Sequence, residues 1–198
     1  MKALIINGHI QWENISEGSL NHRIFEETMA FFNEKEIEIV TTTIDKGYQL
    51  DKEVEKWVEA DYIVFHFPIN WFSYPAKTKE YIDSVFMAGY DRLCNGDGRK
   101  TGADYGSGGL LSAKGMIVNT WNAPKDVFEN NEKFFKGMSM EEVTMHFTAN
   151  FEFVGISPLP TFAFYDVFSP TINYEGLFQK YKEHLETHMC HKNISSTK

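Results

Sequence analysis

Five short apolar runs alternate with segments of helical periodicity along this chain, and that alternation constrains its fold more than any other feature. Residues 3–7 are apolar up to Asn7, as in a parallel strand covered on both faces. A helical spacing follows over 20–33, with Leu20, Ile24, Met29, Ala30, Phe31 and Phe32 on its apolar side. Residues 37–44 are rich in Ile, Val and Thr and read as a second strand. Asp51 is placed to cap a helix that turns Val54, Trp57 and Val58 to one face. Residues 62–67 give a third strand, and 76–86 a helix with Tyr81, Ile82, Val85 and Phe86 inward. After a glycine-rich stretch at 87–113, residues 116–120 form a fourth strand. Ser139 to Glu142 has the form of a capping box and opens a helix that ends at Gly155. A fifth strand at 160–165 and a last amphipathic helix from Tyr174 to about His188 complete the pattern.

Such alternation predicts an α/β fold, a five-stranded parallel sheet with helices on both faces. Ligands of these sheets sit beyond the carboxyl ends of the strands, where the strand order reverses. Three loops therefore share one predicted site: 8–21, 68–75 and 120–124. The first lacks three spaced glycines, so a Rossmann fingerprint is not supported. Its Ser16, Gly18, Ser19 and Asn21 precede a helix and suit either an anion site built from hydroxyls and backbone N–H groups or a plain helix cap by Ser19 or Asn21. The second crowds Trp71, Phe72 and Tyr74 between Pro68 and Pro75, which reads as a wall for a flat ligand or as a hydrophobic plug. In the third, Thr120, Trp121 and Asn122 all carry hydrogen-bond donors ahead of Pro124, which also suits a simple turn.

Length and charge narrow the function. The 198 residues suit one domain over 1–192 with a disordered tail at 193–198. A net charge of −9 argues against nucleic acid and anionic membrane as partners. Cys94 and Cys190 give neither a disulfide framework nor zinc spacing, and with no legible export signal they point to a reducing, cytoplasmic setting. The sequons at Asn14 and Asn193 are then accidental, and no apolar run reaches membrane-spanning length. His184, His188, Cys190 and His191 cluster near the end, but late histidines suit the helix dipole, and no metal is expected. His66 reads as a structural histidine within the third strand, and Cys94 has no adjacent base.

The segments LIINGH, GSLN, FPINWFSYPAKTKEYIDSVF, DGR at 97–99, YGSGG at 105–109, TWNAP at 120–124 and GISPLPTF at 155–162 resemble the modulator of drug activity B proteins. These are flavodoxin-like NAD(P)H:quinone reductases related to DT-diaphorase, and the likeness runs from the first strand to the fifth. It implies strand order 2-1-3-4-5, a homodimer, FAD in preference to FMN, and NAD(P)H as co-substrate. Carried over residue by residue, the phosphate and ribityl positions are Ser16, Glu17, Gly18, Ser19, Leu20, Asn21, His22 and Arg23. The isoalloxazine positions are Pro68, Ile69, Asn70, Trp71 and Phe72, completed by Tyr105, Thr120, Trp121, Asn122 and Ala123. The implied reaction is a two-electron ping-pong cycle in which hydride passes from NAD(P)H through flavin N5 to a quinone, nitroaromatic, azo dye or flavin, supported by Asn70, Trp71 and Asn122. One departure stands out: residues 120–135 contain neither the Tyr nor the His that DT-diaphorases use against charge on the reduced flavin. Water or backbone donors would take that role. Phe128, Phe134 and Phe135 suggest the dimer contact or ordinary core. The competing class is a flavodoxin-type electron carrier without turnover of its own.

Overall fold

The structure is a computed structural model describing residues 1–13 and 15–189. Asn14, Cys190, His191 and the tail with Asn193 lie outside the described residues. Strands β1 (Lys2–Asn7), β2 (Glu38–Thr43), β3 (Tyr62–Pro68) and β4 (Lys114–Thr120) pair in parallel in the order β2-β1-β3-β4. Two short strands, β5 (Ser157–Pro158) and β6 (Phe162–Phe164), both lie against β4. They are the predicted fifth strand in two pieces. Gly115 opposes Pro158 and Val118 opposes Phe162, so one strand advances a residue more than the other. That extra residue makes a bulge around Pro160, which has no N–H to give to the ladder. The strand order predicted from the resemblance is thus observed, with the edge strand beginning earlier than 160 and broken.

Alternate residues of β1, β3 and β4 bury on opposite faces, which is why these runs are largely apolar, with His66 and Asn119 the buried polar exceptions in β3 and β4. Leu4, Ile6, Ile63, Phe65, Phe67 and Ile117 meet α2 (Leu50–Glu59), α3 (Ala76–Ala88) and α6 (Met145–Phe153). Ala3, Ile5, Val64, Met116 and Val118 meet α1 (Ser19–Glu34) and α7 (Tyr174–Met189). On the first face a buried polar group is closed on itself. Trp57 Nε1 donates to Tyr81 Oη at 2.9 Å, and Tyr81 donates to Glu53 Oε2 at 2.8 Å. Thr42 and Lys56 also donate to that carboxylate, at 2.7 and 2.6 Å. Trp57 is core, as its place on the helix predicts.

Three local expectations shift. Asp51 lies in the first turn of α2, which Gln49 precedes without a side-chain cap. The helix predicted from 139 is two, α5 (Met140–Val143) and α6; the capping box of Ser139 and Glu142 is present. Thr144 divides them by donating its hydroxyl to Met140 O at 2.7 Å. Within 87–113 the chain forms α4 (Tyr90–Leu93), a short 3₁₀ turn at Arg99–Thr101 and a bridge between Cys94 and Gly109.

Candidate functional site

The loops after β1, β3 and β4 emerge side by side. Gly8 N–H donates to His66 O at 2.7 Å, and Ile69 N–H to Thr120 O at 2.9 Å. Thr78, in the first turn of α3, donates to Gly8 O at 2.7 Å. The chain goes one way from β1 to β2 and the other way to β3, so the order reverses between β1 and β3. The predicted convergence of loops 8–21, 68–75 and 120–124 is met.

In the first loop Gly18 is the N-cap residue of α1, at φ 82, and no side chain caps the helix. The plain-cap alternative for Ser19 and Asn21 therefore falls. His22 N–H makes the first intrahelical bond, to Gly18 O at 2.8 Å, which leaves the N–H groups of Ser19, Leu20 and Asn21 without helical partners. Asn21 is buried, and its Oδ1 has no partner among the described residues. A Cβ at Gly18 would come 2.5 Å from the His9 ring. His9 itself is buried, its Nε2 3.1 Å from Ser16 Oγ, and burial lowers its pKa. Sequence reasoning gave His9 no role; its place beneath a glycine was not visible from spacing. Glu17 is exposed, His22 faces Glu26 at 3.1 Å, and Arg23 is turned away from the loop. The Arg23 guanidinium grips Glu175 at 2.8 and 3.0 Å and covers the Phe178 ring at 4.0 Å, pinning α1 to α7.

The second loop is a two-residue reverse turn. Asn70 and Ser73 exchange N–H···O bonds of 3.0 and 3.1 Å. Between them Trp71 and Phe72 both adopt positive φ, 49 and 67. This geometry normally selects Asn-Gly, and bulky side chains there cost roughly 1–2 kcal/mol each. The turn leaves Trp71 94% exposed and lays Phe72 on Phe134, ring centroids 5.5 Å apart and planes 16° from parallel. The predicted three-aromatic wall is corrected in one member. Tyr74 packs into the core between Phe67 and Phe147, and burial raises its hydroxyl well above the usual phenol range.

The third loop also sorts its side chains. Trp121 is buried with Phe128, Phe135 and Met140, and its Nε1 donates to Asn119 Oδ1 at 2.8 Å. The backbone N–H of Trp121 bonds Phe164 O at 2.7 Å. The expectation of donors from all three residues therefore narrows to Thr120 and the exposed Asn122, with Ala123 half-buried beside them. Of the three candidate contact phenylalanines, Phe128 and Phe135 are core and Phe134 is exposed. A separate cavity of about 290 Å³ opens along the outer side of β6, lined by Phe128, Met140, Ala163 and Tyr165 among others.

Tyr105 is not with the rest. Its ring lies 6.0 Å from Phe153, whose helix feeds β5 beside Lys114 at the start of β4. The other loops leave the far end of that strand, seven residues and about 20 Å away. Arg99 covers Tyr105 at 5.4 Å and pairs with Asp97 at 2.6 Å.

His66 is fully buried beside Thr28 Oγ1 at 3.1 Å, and burial lowers its pKa to about 3. Burial raises the Cys94 thiol above its usual value, away from a reactive thiolate. His184 Nε2 lies 2.8 Å from Pro160 O, and among the described residues no group of three His, Cys, Asp or Glu could hold a metal ion. No helix among those residues is long and apolar enough to cross a membrane.

The family described as having a flavodoxin-like fold matches residues 1–189. This chain belongs to that family. It is 35% identical over 191 residues to the NADPH:quinone oxidoreductase MdaB of Haemophilus influenzae, covering 94% of this chain and 98% of that one. The resemblance to modulator of drug activity B proteins read from the motifs is met in that relative. A putative quinone reductase from Klebsiella pneumoniae superposes with a TM-score of 0.71 at 18% identity, over 94% of this chain and 83% of that one. The general stress protein 14 of Treponema denticola, solved in complex with FMN, superposes at 0.60 with 16% identity, over 94% of each chain. The last two likenesses concern the fold alone.

Proposed function

We propose that this chain is a flavin-dependent NAD(P)H:quinone oxidoreductase, with FAD as its flavin. The observation that carries the reading is the uncapped N-terminus of α1 standing at the β1–β3 reversal, beside the turn that exposes Trp71 and Phe72. The N–H groups of Ser19, Leu20 and Asn21, which have no helical partners, and the Ser16 and Ser19 hydroxyls suit a phosphate-bearing ligand, while the orphaned Asn21 Oδ1 is an acceptor and suits a hydroxyl of that ligand instead. Gly18 keeps that cradle open, since any side chain there would meet the His9 ring. The relative named an NADPH:quinone oxidoreductase supplies the reaction class.

A bound flavin would supply a ring that takes two electrons and a proton from NAD(P)H and delivers them to an acceptor. The balance is NAD(P)H plus H⁺ plus quinone giving NAD(P)⁺ plus hydroquinone. The protein's part is to bind, orient and exclude water. Residues 69–72 form one side of the slot, with the Trp71 indole positioned to cover it. Thr120 and Asn122 would supply hydrogen-bond donors to the ring, where negative charge would develop on reduction. No histidine or tyrosine of residues 120–135 is present to take that charge, so donors of the backbone and water hold it. Donor and acceptor use one open face in turn, which is a ping-pong order.

We also propose a homodimer. Tyr105 cannot reach the slot of its own chain across the length of β4, so its predicted role requires a second copy to bring it there. The cytoplasmic placement rests on the two cysteines of the sequence. The purified protein should be yellow, and chromatography of the heat-released flavin should give FAD. NADPH should bleach it without oxygen, and menadione should restore the colour without any reductase partner. A colourless protein that takes up no added FAD defeats the reading. Sedimentation of the yellow protein as a monomer defeats the dimer alone.

A further inference from the structure

Phe134 and Phe135 are adjacent in sequence and have opposite fates. Phe135 stands in the small core, 6.0 Å from Trp121, where Phe128 stacks on it at 4.5 Å with planes 13° apart. Phe134 is 68% exposed, yet it lies edge-on to Phe135 at 5.0 Å and face-on to Phe72. Its position is held by the backbone. Glu129 N–H donates to Met138 O at 2.9 Å, and Gly137 N–H to Asn130 O at 3.1 Å, closing the segment into a loop. Glu129, Lys136 and Gly137 all take positive φ within it. A fixed loop that presents one phenyl ring outward, parallel to the ring of a strained turn, is an aromatic ledge of two rings at the mouth of the site.

We propose that Phe134 is an acceptor-selecting residue, whose exposed face stacks with fused-ring quinones as they enter beside Phe72. The proposal rests on the quinone-reductase reading and deepens it. Stacking rewards flat acceptors with extended π systems and gives nothing to a compact inorganic one. The nicotinamide donor must reach the same mouth, but its affinity draws on its ribose and phosphate groups as well. Loss of one phenyl ring should therefore separate acceptors more than donors.

The test compares Phe134→Ala, Phe134→Leu and Phe134→Tyr with the parent in their flavin-loaded form. Menadione and ferricyanide serve as the fused-ring and ringless acceptors. Phe134→Ala and Phe134→Leu should raise the KM for menadione by about fivefold with little change in kcat, and Phe134→Tyr should restore it. Ferricyanide reduction, flavin content and the KM for NADPH should stay within about twofold. Quenching of tryptophan fluorescence by menadione, without NADPH, should weaken by the same factor. An unchanged menadione KM overturns the proposal, as does an equal loss for ferricyanide. Release of flavin from the Ala and Leu variants overturns it too, since the ring would then be holding flavin. A parent protein without flavin or NADPH oxidation fails the broader reading instead.

Discussion

Trp121, just past the end of β4, donates its indole N–H back to Asn119 within the strand. The indole N–H reaches Asn119 Oδ1 at 2.8 Å while both side chains are buried. Asn119 Nδ2 has no partner among the described residues. The pair closes the floor under the third loop, so the residue that the motif TWNAP advertises as a donor acts inward.

Replacing Trp121 with Phe should therefore act on stability first. It removes the one bond made by the Asn119 carbonyl and loosens a core shared with Phe128 and Phe135. We expect a loss of about 2–3 kcal/mol, from the unsatisfied buried amide and the lost ring volume. For a chain of this size that is a fall of very roughly 5–10 °C in melting temperature. Flavin content per folded molecule should be retained. A variant that melts like the parent but has lost its flavin would restore Trp121 to the slot.

Glu53 gives a second stability test, remote from the site. Its buried carboxylate accepts from Thr42, Lys56 and Tyr81. Glu53→Ala strands the Thr42 and Tyr81 hydroxyl donors beside Trp57, while Lys56 keeps its bond to Thr41 O at 2.9 Å. The expected cost is about 3 kcal/mol, less than for a wholly buried pair because Lys56 is partly exposed. Urea unfolding followed by tryptophan fluorescence would measure it. A cost below about 1 kcal/mol would mean water enters and solvates the group.

The sheet was legible because burial on both faces leaves β1, β3 and β4 largely apolar and β2 is rich in β-branched residues, and the Ser139 capping box was legible because its bonds are local. The break at Thr144 was not, since a threonine hydroxyl bonding Met140 looks like any helical threonine in sequence. Three of the four tryptophans show where side-chain identity stops informing. Trp57, Trp121 and Trp71 end as core, loop floor and exposed surface, decided by backbone direction in each case. Tyr105 teaches a different point. A segment between a helix and the next parallel strand must lie at the amino end of the sheet, and connectivity alone placed it away from the other loops. The resemblance grouped it with them because motifs carry no record of which copy, or which end, supplies a residue.

His66 makes stability depend on pH. Its pKa is about 3 in the folded protein because burial disfavours the charged ring, against 6.5 when unburied. The unfolded chain thus binds the proton more readily between those values, and stability falls as pH drops from about 6.5 toward 3. The slope from this residue approaches about 1.4 kcal/mol per pH unit within that window and vanishes above it. His9, His146 and His184 are lowered by burial too and add to the slope. Chemical unfolding at a series of pH values should show the slope, and His66→Gln should reduce it. An identical slope in that variant would assign the acid sensitivity to the other histidines and to carboxylates held below their usual range, such as Asp45 beside Lys77 and Asp97 beside Arg99.

Trp71 should show stability and function moving in opposite directions. Its indole touches almost nothing, being 94% exposed, while its backbone holds φ at 49. Glycine takes that conformation without a Cβ clash, although it adds entropy to the unfolded chain. The two terms oppose, and relief of roughly 1–2 kcal/mol of strain should exceed the entropic loss of up to about 1 kcal/mol. Trp71→Gly should therefore melt slightly above the parent when both are free of flavin. If the indole covers the flavin slot, the same change should weaken flavin binding by tenfold or more, read from flavin fluorescence on dilution. Trp57→Ala is the contrast, losing about 3–5 kcal/mol of stability from a filled core position. A Trp71→Gly protein that keeps its flavin as tightly as the parent would leave the strained turn without a ligand to explain it.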